Sequence, residues 1–247
     1  MPATPAWPPK SLPRLFVRSA LGEGTTVDLD ASQANYLGNV LRLGIGGELL
    51  VFDGSSGEWL ARIGEAGKKR MTLTVERRTR EAESNPDVWL AFAPVKRTQT
   101  DWLVEKATEL GAAKLLPVMT QRTIAERVKL ERLEAIAIEA AEQCGRTRLP
   151  EIDEPVGLRQ LLAQRDVGRQ LYFADEGGGE AAADTFKSGP ALILTGPEGG
   201  FTDEERALIR AAPNMVPVSL GPRILRAETA ALAALAIYMA IAGDWRL

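Results

Sequence analysis

The stretch "ALILTGPEGGFTDEE", residues 191–205, begins with four apolar residues, stops at Thr195, turns through Gly196, Pro197, Glu198, Gly199 and Gly200, and then offers a helix start. A short unbroken apolar run is how a buried parallel strand reads, and Thr202 with Glu205 has the spacing of a capping box. The stretch therefore predicts a bare loop at the carboxyl edge of an open α/β sheet, where such proteins bind ligands. Glycines at 196, 199 and 200 permit positive φ and close approach of a ligand to the main chain. A phosphate would suit amide N–H groups at a helix start, but Glu198 lies in the loop, no Lys-Ser/Thr follows, and there is no G-x-G-x-x-G. An acidic loop prefers a neutral or cationic ligand; a plain Gly-Pro turn is the alternative reading of this stretch taken alone.

A second segment, "SLGPRILRAETAALAAL" (219–235), repeats the pattern of strand end, Gly-Pro loop and helix, now with Arg223, Arg226 and Glu228 in the turn. Working outward, residues 88–119 alternate strand-like and helix-like runs, as in "VWLAFAPV" (88–95), "QTDWLVEKATELG" (99–111) and "AKLLPVM" (113–119). "LERLEAIAIEAAEQCG" (130–145) follows as a long helix, and "QLYFAD" (170–175) and "MVPVSL" (215–220) are further strands. This alternation predicts a mostly parallel sheet covered by helices, closed by a buried or interface helix in "AETAALAALAIYMAIAG" (227–243). The first 80 residues differ. Five short β-like runs, 14–18, 25–29, 48–54, 58–63 and 71–78, broken by glycine turns and the helical "ASQANYLGNVLR" (31–42), predict a small antiparallel barrel. The polar segment 78–87 is the expected linker.

Composition narrows the chemistry. The 247 residues include no histidine, which removes the usual general base, the usual partner of a nucleophile and the commonest metal ligand. The single cysteine, Cys144, excludes an internal disulfide and a multi-cysteine zinc site, and its place late in an Ala-rich helix reads as a small buried filler rather than a nucleophile. No apolar run approaches a membrane span, and prolines occupy the first residues where a signal peptide would be apolar, so a cytoplasmic protein with no membrane and no metal partner is expected. The net charge of −3 hides an asymmetry: residues 1–80 carry 11 Lys and Arg against 8 acids, and the remainder 19 against 25. A basic module beside an acidic one hints at a nucleic-acid partner.

"LTGPEGGFTDEE" and "LGPRILRAETAAL", with "AIEAAEQCGRTRLPEI" (137–152) and "VEKATELGAAKLLPVMTQRT" (104–123), resemble the 16S ribosomal RNA uridine-N3 methyltransferases of the RsmE type, within the SPOUT superfamily. The similarity runs from "YLGNVLR" (36–42) to the last helix. It implies an α/β protein in which a PUA-like RNA-binding β-barrel, residues 1–78, is followed by a SPOUT domain, residues 79–247, with a C-terminal trefoil knot. It also implies a homodimer, S-adenosyl-L-methionine held between the knot loops, and 16S ribosomal RNA or the small ribosomal subunit as partner. Leu194, Thr195, Gly196, Pro197, Gly199 and Gly200 would form one wall of the cofactor pocket, and Leu220, Gly221, Ile224 and Leu225 the other. A SPOUT enzyme with another RNA target and a non-catalytic assembly factor are the rival readings. Where family members often carry histidine near "YLGNVLR", Asn35 and Tyr36 stand here.

Methylation at uracil N3 needs its proton removed and the resulting charge on O2 and O4 stabilised. Without histidine, a carboxylate or bulk water takes the proton. Glu198 and Glu228 are the candidates, and Arg226 is the candidate cation; Glu228 also fits a helix-start carboxylate, and Arg226 an ion pair with it. Candidate phosphate contacts are Arg14, Arg18 and Arg42 in the barrel, and Lys96, Arg97, Arg122, Arg146 and Arg148 at the sheet edge.

Overall fold

The computed structural model describes residues 12–67, 70–124 and 127–245. Contacts divide the chain into two units, one running up to Glu83 and including Glu142–Arg148, the other comprising Ser84–Ala141 and Leu149 onward.

In the first unit, β1 (Arg14–Phe16), β2 (Thr26–Asp28), β3 (Glu48–Phe52), β4 (Glu58–Ala66) and β5 (Met71–Arg80) form one sheet in the order β1-β3-β4-β5-β2. The short α1 (Ala31–Asn35) and a π-helical turn (Tyr36–Val40) lie between β2 and β3. Asp30 starts α1 with a capping box, accepting from the Ser32 and Gln33 N–H groups at 2.8 and 2.9 Å while Gln33 Oε1 accepts from the Asp30 N–H at 3.2 Å. Alternate residues point inward, so Leu49 and Val51, Ala61 and Ile63, and Leu73 and Val75 share one apolar core. The sheet is not wholly antiparallel as the turn pattern suggests: β1 runs parallel to β3, because the chain makes a long excursion through β2 and α1 before returning beside it. β5 also extends to Arg80, into the stretch read as linker.

A buried charge cluster ties this unit together. Glu58, 4% exposed, accepts from Arg14 Nε at 2.7 Å and from Arg80 Nη2 at 2.8 Å. Arg14 also donates to the carbonyl oxygens of Glu142 and Arg146, and Arg80 to that of Gly145. Burial pushes the Glu58 carboxyl upward, but the Arg80 and Arg14 bonds and charges outweigh it and hold it below the usual glutamate range.

The second unit contains β6 (Val88–Phe92), α2 (Arg97–Glu109), β7 (Lys114–Met119), α3 (Leu130–Cys144), β8 (Glu151–Ile152), β9 (Val156–Gly157), α4 (Leu158–Gln164) and β10 (Gln170–Ala174). It continues with β11 (Glu180–Ala181), α5 (Ala182–Thr185), β12 (Ala191–Thr195), α6 (Asp203–Arg210), β13 (Met215–Ser219) and α7 (Ala227–Ile241). Every strand pair in it is parallel, in the order β11-β13-β10-β12-β6-β7-β8, with β9 beside β7. Strand residues alternate between two cores. Val88, Leu90 and Phe92 face α2, α3 and α7, whereas Ala91, Leu192 and Leu194 face α4 and α6. Burial on both faces explains why β12 reads as an unbroken apolar run. On the α7 side the rings of Tyr172 and Phe186 meet edge to face at 4.7 Å and those of Phe186 and Tyr238 at 5.5 Å, contacts worth about 0.5–1.5 kcal/mol each. The Tyr238 hydroxyl donates to the Gly189 carbonyl at 2.8 Å, and burial pushes it up to about 12.

Candidate active site

Three neighbouring strands, β13, β10 and β12, end together, and each hands over to a glycine-bearing turn. A cavity of about 570 Å³ opens at their carboxyl ends, within the roughly 300–1,000 Å³ of small-molecule sites. Gly196, Pro197, Glu198 and Gly200 line it from the turn after β12, and the run Leu220–Glu228 lines it from the turn after β13. The two Gly-Pro loops, separated in sequence by α6 and β13, share one hollow.

Their backbones are fixed from below. Thr202 opens α6, with its N–H donating to Glu205 Oε2 at 3.0 Å, and the other Glu205 oxygen accepts from the Gln121 N–H at 2.8 Å. Gly200 at φ +65° and Gly221 at φ +109° hold left-handed conformations that a residue with a Cβ rarely takes. Its chain neighbours aside, nothing among the described residues lies within 4 Å of where a Gly221 Cβ would stand, so main chain there fronts open cavity.

Most of the expected lining residues are at the wall: Gly196, Pro197, Gly200, Leu220, Gly221, Ile224 and Leu225. Leu194 and Thr195 are not; they are buried within β12, beneath the cavity. Gly199 also stands back, its carbonyl accepting from Arg122 Nη1 at 2.7 Å. That bond gives Arg122 a role in holding the loop.

The charged residues divide by role. Asp175 and Glu176, which sequence reasoning did not single out, line the cavity from the end of β10 and are tied to Arg206 of α6. The signal was present in "FADEGGG", a third strand end followed by glycines at 177–179. Glu198 is exposed and Glu228 is 8% exposed; both line the cavity, and among the described residues neither side chain has a salt bridge or hydrogen bond. Arg226 caps α7 from an exposed position and makes no ion pair with Glu228, so that alternative is not what the structure shows. Ile224 is 89% exposed, an apolar side chain left uncovered at the cavity.

Two of the expected phosphate contacts are corrected. The side chains of Arg14 and Arg146 are each only 7% exposed: Arg14 is bonded to Glu58 as described, and Arg146 Nε to Glu83 at 3.4 Å. An arginine committed inside the protein does not reach a phosphate. Arg18, Arg42, Lys96, Arg97, Arg122 and Arg148 are exposed, and Arg42 holds an uncommon φ of 57°. Cys144 is exposed at the end of α3 rather than buried.

A helix-covered parallel sheet with a ligand-sized hollow at its strand ends, attached to a separate small β-unit, defines a two-part enzyme of the RNA methyltransferase class: the RNA methyltransferase domain family matches residues 82–239 and the RNA methyltransferase PUA domain family residues 29–76. The chain belongs to the ribosomal RNA small subunit methyltransferase E family. A member from Rickettsia conorii is 31% identical over 90% of this chain and 93% of its own, and one from Synechocystis is 37% identical over 85% and 72%. A ribosomal RNA small subunit methyltransferase E of Neisseria gonorrhoeae, solved bound to S-adenosyl methionine, superposes with a TM-score of 0.88 at 29% identity, covering 95% of this chain and 99% of its own. A methyltransferase of Legionella pneumophila, also solved with the cofactor, gives a TM-score of 0.86 at 30% identity over 94% and 99%.

Proposed function

We propose that the protein methylates N3 of a uridine in 16S ribosomal RNA, using S-adenosylmethionine bound between the loops after β12 and β13. The observation that carries this is the meeting of the two Gly-Pro loops at one 570 Å³ cavity. The residues present fit that cofactor. Exposed main chain at Gly221 offers a peptide group to a purine, Pro197, Leu220 and Ile224 offer apolar cover, and the carboxylates Glu198 and Glu228, unpaired among the described residues, suit a cationic sulfonium better than a phosphate.

Bound there, S-adenosylmethionine supplies an electrophilic methyl carbon. The chain's own work is alignment and charge. Glu228, buried at the cavity wall and without a partner among the described residues, is our candidate to take the N3 proton, which otherwise leaves N3 no in-plane lone pair. Arg226, exposed at the cavity with no carboxylate engaged among the described residues, is the candidate cation for charge developing on O2 or O4. Glu198, on the facing loop, is the second candidate acceptor.

The same reading includes the remaining architecture. A trefoil knot of the SPOUT type belongs to this reading through the resemblance of the loops after β12 and β13 to that family. A homodimer is supported by Trp102 and Trp245, large aromatics left 44% and 47% exposed. Ribosomal RNA as substrate implies the cytoplasm, and among the described residues no helix is long and apolar enough to cross a membrane. The test is mass spectrometry of nucleosides from 16S ribosomal RNA of a strain lacking the gene. Loss of 3-methyluridine, restored by the gene, is expected; its retention overturns the assignment.

A further inference from the structure

The first turn of α2 separates the cavity above from a second one. Gln99 faces the first, while Lys96, Arg97, Thr100 and Asp101 face a space of about 340 Å³ at the carboxyl end of β6. Ile124, Arg127 and Lys129, ahead of α3, and Arg132 of α3 itself complete its wall among the described residues. The base of this hollow is fixed, because Thr100 Oγ1 donates to the Val95 carbonyl and accepts from the Val95 N–H, both at 3.1 Å.

Charge decides what such a space takes. Among the described residues five cations line it against one carboxylate. That carboxylate, Asp101, is bound on both oxygens by Arg132, through Nε at 2.8 Å and through Nη2. Lys96, Arg97, Arg127 and Lys129 form no salt bridge among the described residues. The α2 N-terminus adds to them: Lys96 is its N-cap and no side chain caps the first turn, so the positive end of the helix dipole faces the same hollow. Solvated surface lysines and arginines ordinarily spread apart. Four unpaired cations and an uncapped helix end gathered on one concavity describe an anion site. Its volume exceeds a single phosphate ion and suits a phosphate with its ribose, whose carbons would meet Pro94, Val128 and Leu133.

We propose that this second cavity is a phosphate subsite for the RNA strand, gripping the backbone beside the nucleotide that enters the first cavity. The proposal rests on the function proposed above and adds to it a place and a set of residues, Lys96, Arg97, Arg127 and Lys129. The role is positioning: the subsite fixes where the strand lies across the first turn of α2 and leaves the methyl transfer to the neighbouring cavity.

The experiment compares the full-length protein with the Arg127→Ala, Lys129→Ala double variant, both substitutions at exposed positions. Binding of transcribed 16S ribosomal RNA is measured as a function of salt, with uridine monophosphate as the free-phosphate probe and calorimetry with S-adenosylmethionine as the check on folding. Affinity for the RNA is expected to fall about tenfold, and the slope of log affinity against log salt to become shallower by about one to two, with the cofactor heat unchanged. RNA affinity and slope unchanged in the variant would overturn the subsite while leaving the proposed function standing. Tight uridine monophosphate binding that the variant loses, with RNA binding unaffected, overturns the RNA assignment. A wild type that binds neither the transcribed RNA nor the small ribosomal subunit overturns both the subsite and the function.

Discussion

Asp175, at the end of β10, and Arg206, on α6, are joined side chain to side chain at the wall of the first cavity, and Arg210 takes the second Asp175 oxygen at 2.6 Å. The Asp175 side chain is 1% exposed, and the guanidinium groups of Arg206 and Arg210 both pair with it. The Gly177 N–H adds a bond at 2.9 Å that shapes the turn.

Asp175→Ala is expected to cost about 2–4 kcal/mol of stability, less than for a fully enclosed pair because Arg210 is half exposed. Denaturant unfolding measures this. Cofactor affinity should fall with it, since the turn after β10 lines the site; a variant as stable as wild type removes the clamp from the account.

Gly221→Val and Gly199→Val separate the cavity wall from the residue behind it. At φ +109° a β-branched residue is strained, and its side chain enters the open cavity, so Gly221→Val should lose cofactor binding. Gly199 has no positive φ and faces Arg122, so Gly199→Val should retain cofactor affinity within a few fold. Calorimetry on both decides, and equal loss would place Gly199 at the cavity after all.

Kinetics should distinguish Glu228 from Arg226. Glu228→Gln keeps the shape of an unpaired side chain and removes its basicity, so kcat is expected to fall by about 10²–10⁴-fold with folding intact. Arg226→Ala should lower kcat more than it weakens cofactor binding, because Arg226 lies exposed at the cavity and holds no side-chain partner among the described residues. A Glu228→Gln enzyme of full activity would hand the proton to Glu198 or to water.

Acid should loosen the first unit through Glu58. Its carboxyl titrates below the usual glutamate value in the folded chain, so the stability it contributes is complete above about pH 4.3 and is lost as pH falls through the lower folded value. Glu58→Gln should be less stable at neutral pH by roughly 2–4 kcal/mol and should show a flatter dependence below pH 4.3. Identical acid profiles for the two proteins would contradict this.

Much of this arrangement is legible in the residues. The apolar run 191–195 and the Thr202–Glu205 pair state a buried strand, a loop and a helix start, and each is found. Local patterns of that kind depend on neighbours in sequence. What sequence could not settle depends on distant partners. Arg14 and Arg146 read as free cations because Glu58 and Glu83, which hold them, lie 44 and 63 residues away. The parallel pairing of β1 with β3 has the same origin, since glycine-rich turns report only that the chain reverses. The short β8, β9, β11, α4 and α5 carry too few residues to show a period. Asp175 was overlooked because its arginine partners lie on α6, and the glycines after it read as another plain turn.

The most direct measurement is calorimetric titration of the full-length protein with S-adenosylmethionine, run beside Gly221→Val. One cofactor per chain for wild type, and no heat for the variant, is the result that follows from two glycine-proline loops enclosing the ligand. Absence of heat with the folded wild type, or an unaltered titration for Gly221→Val, would contradict it.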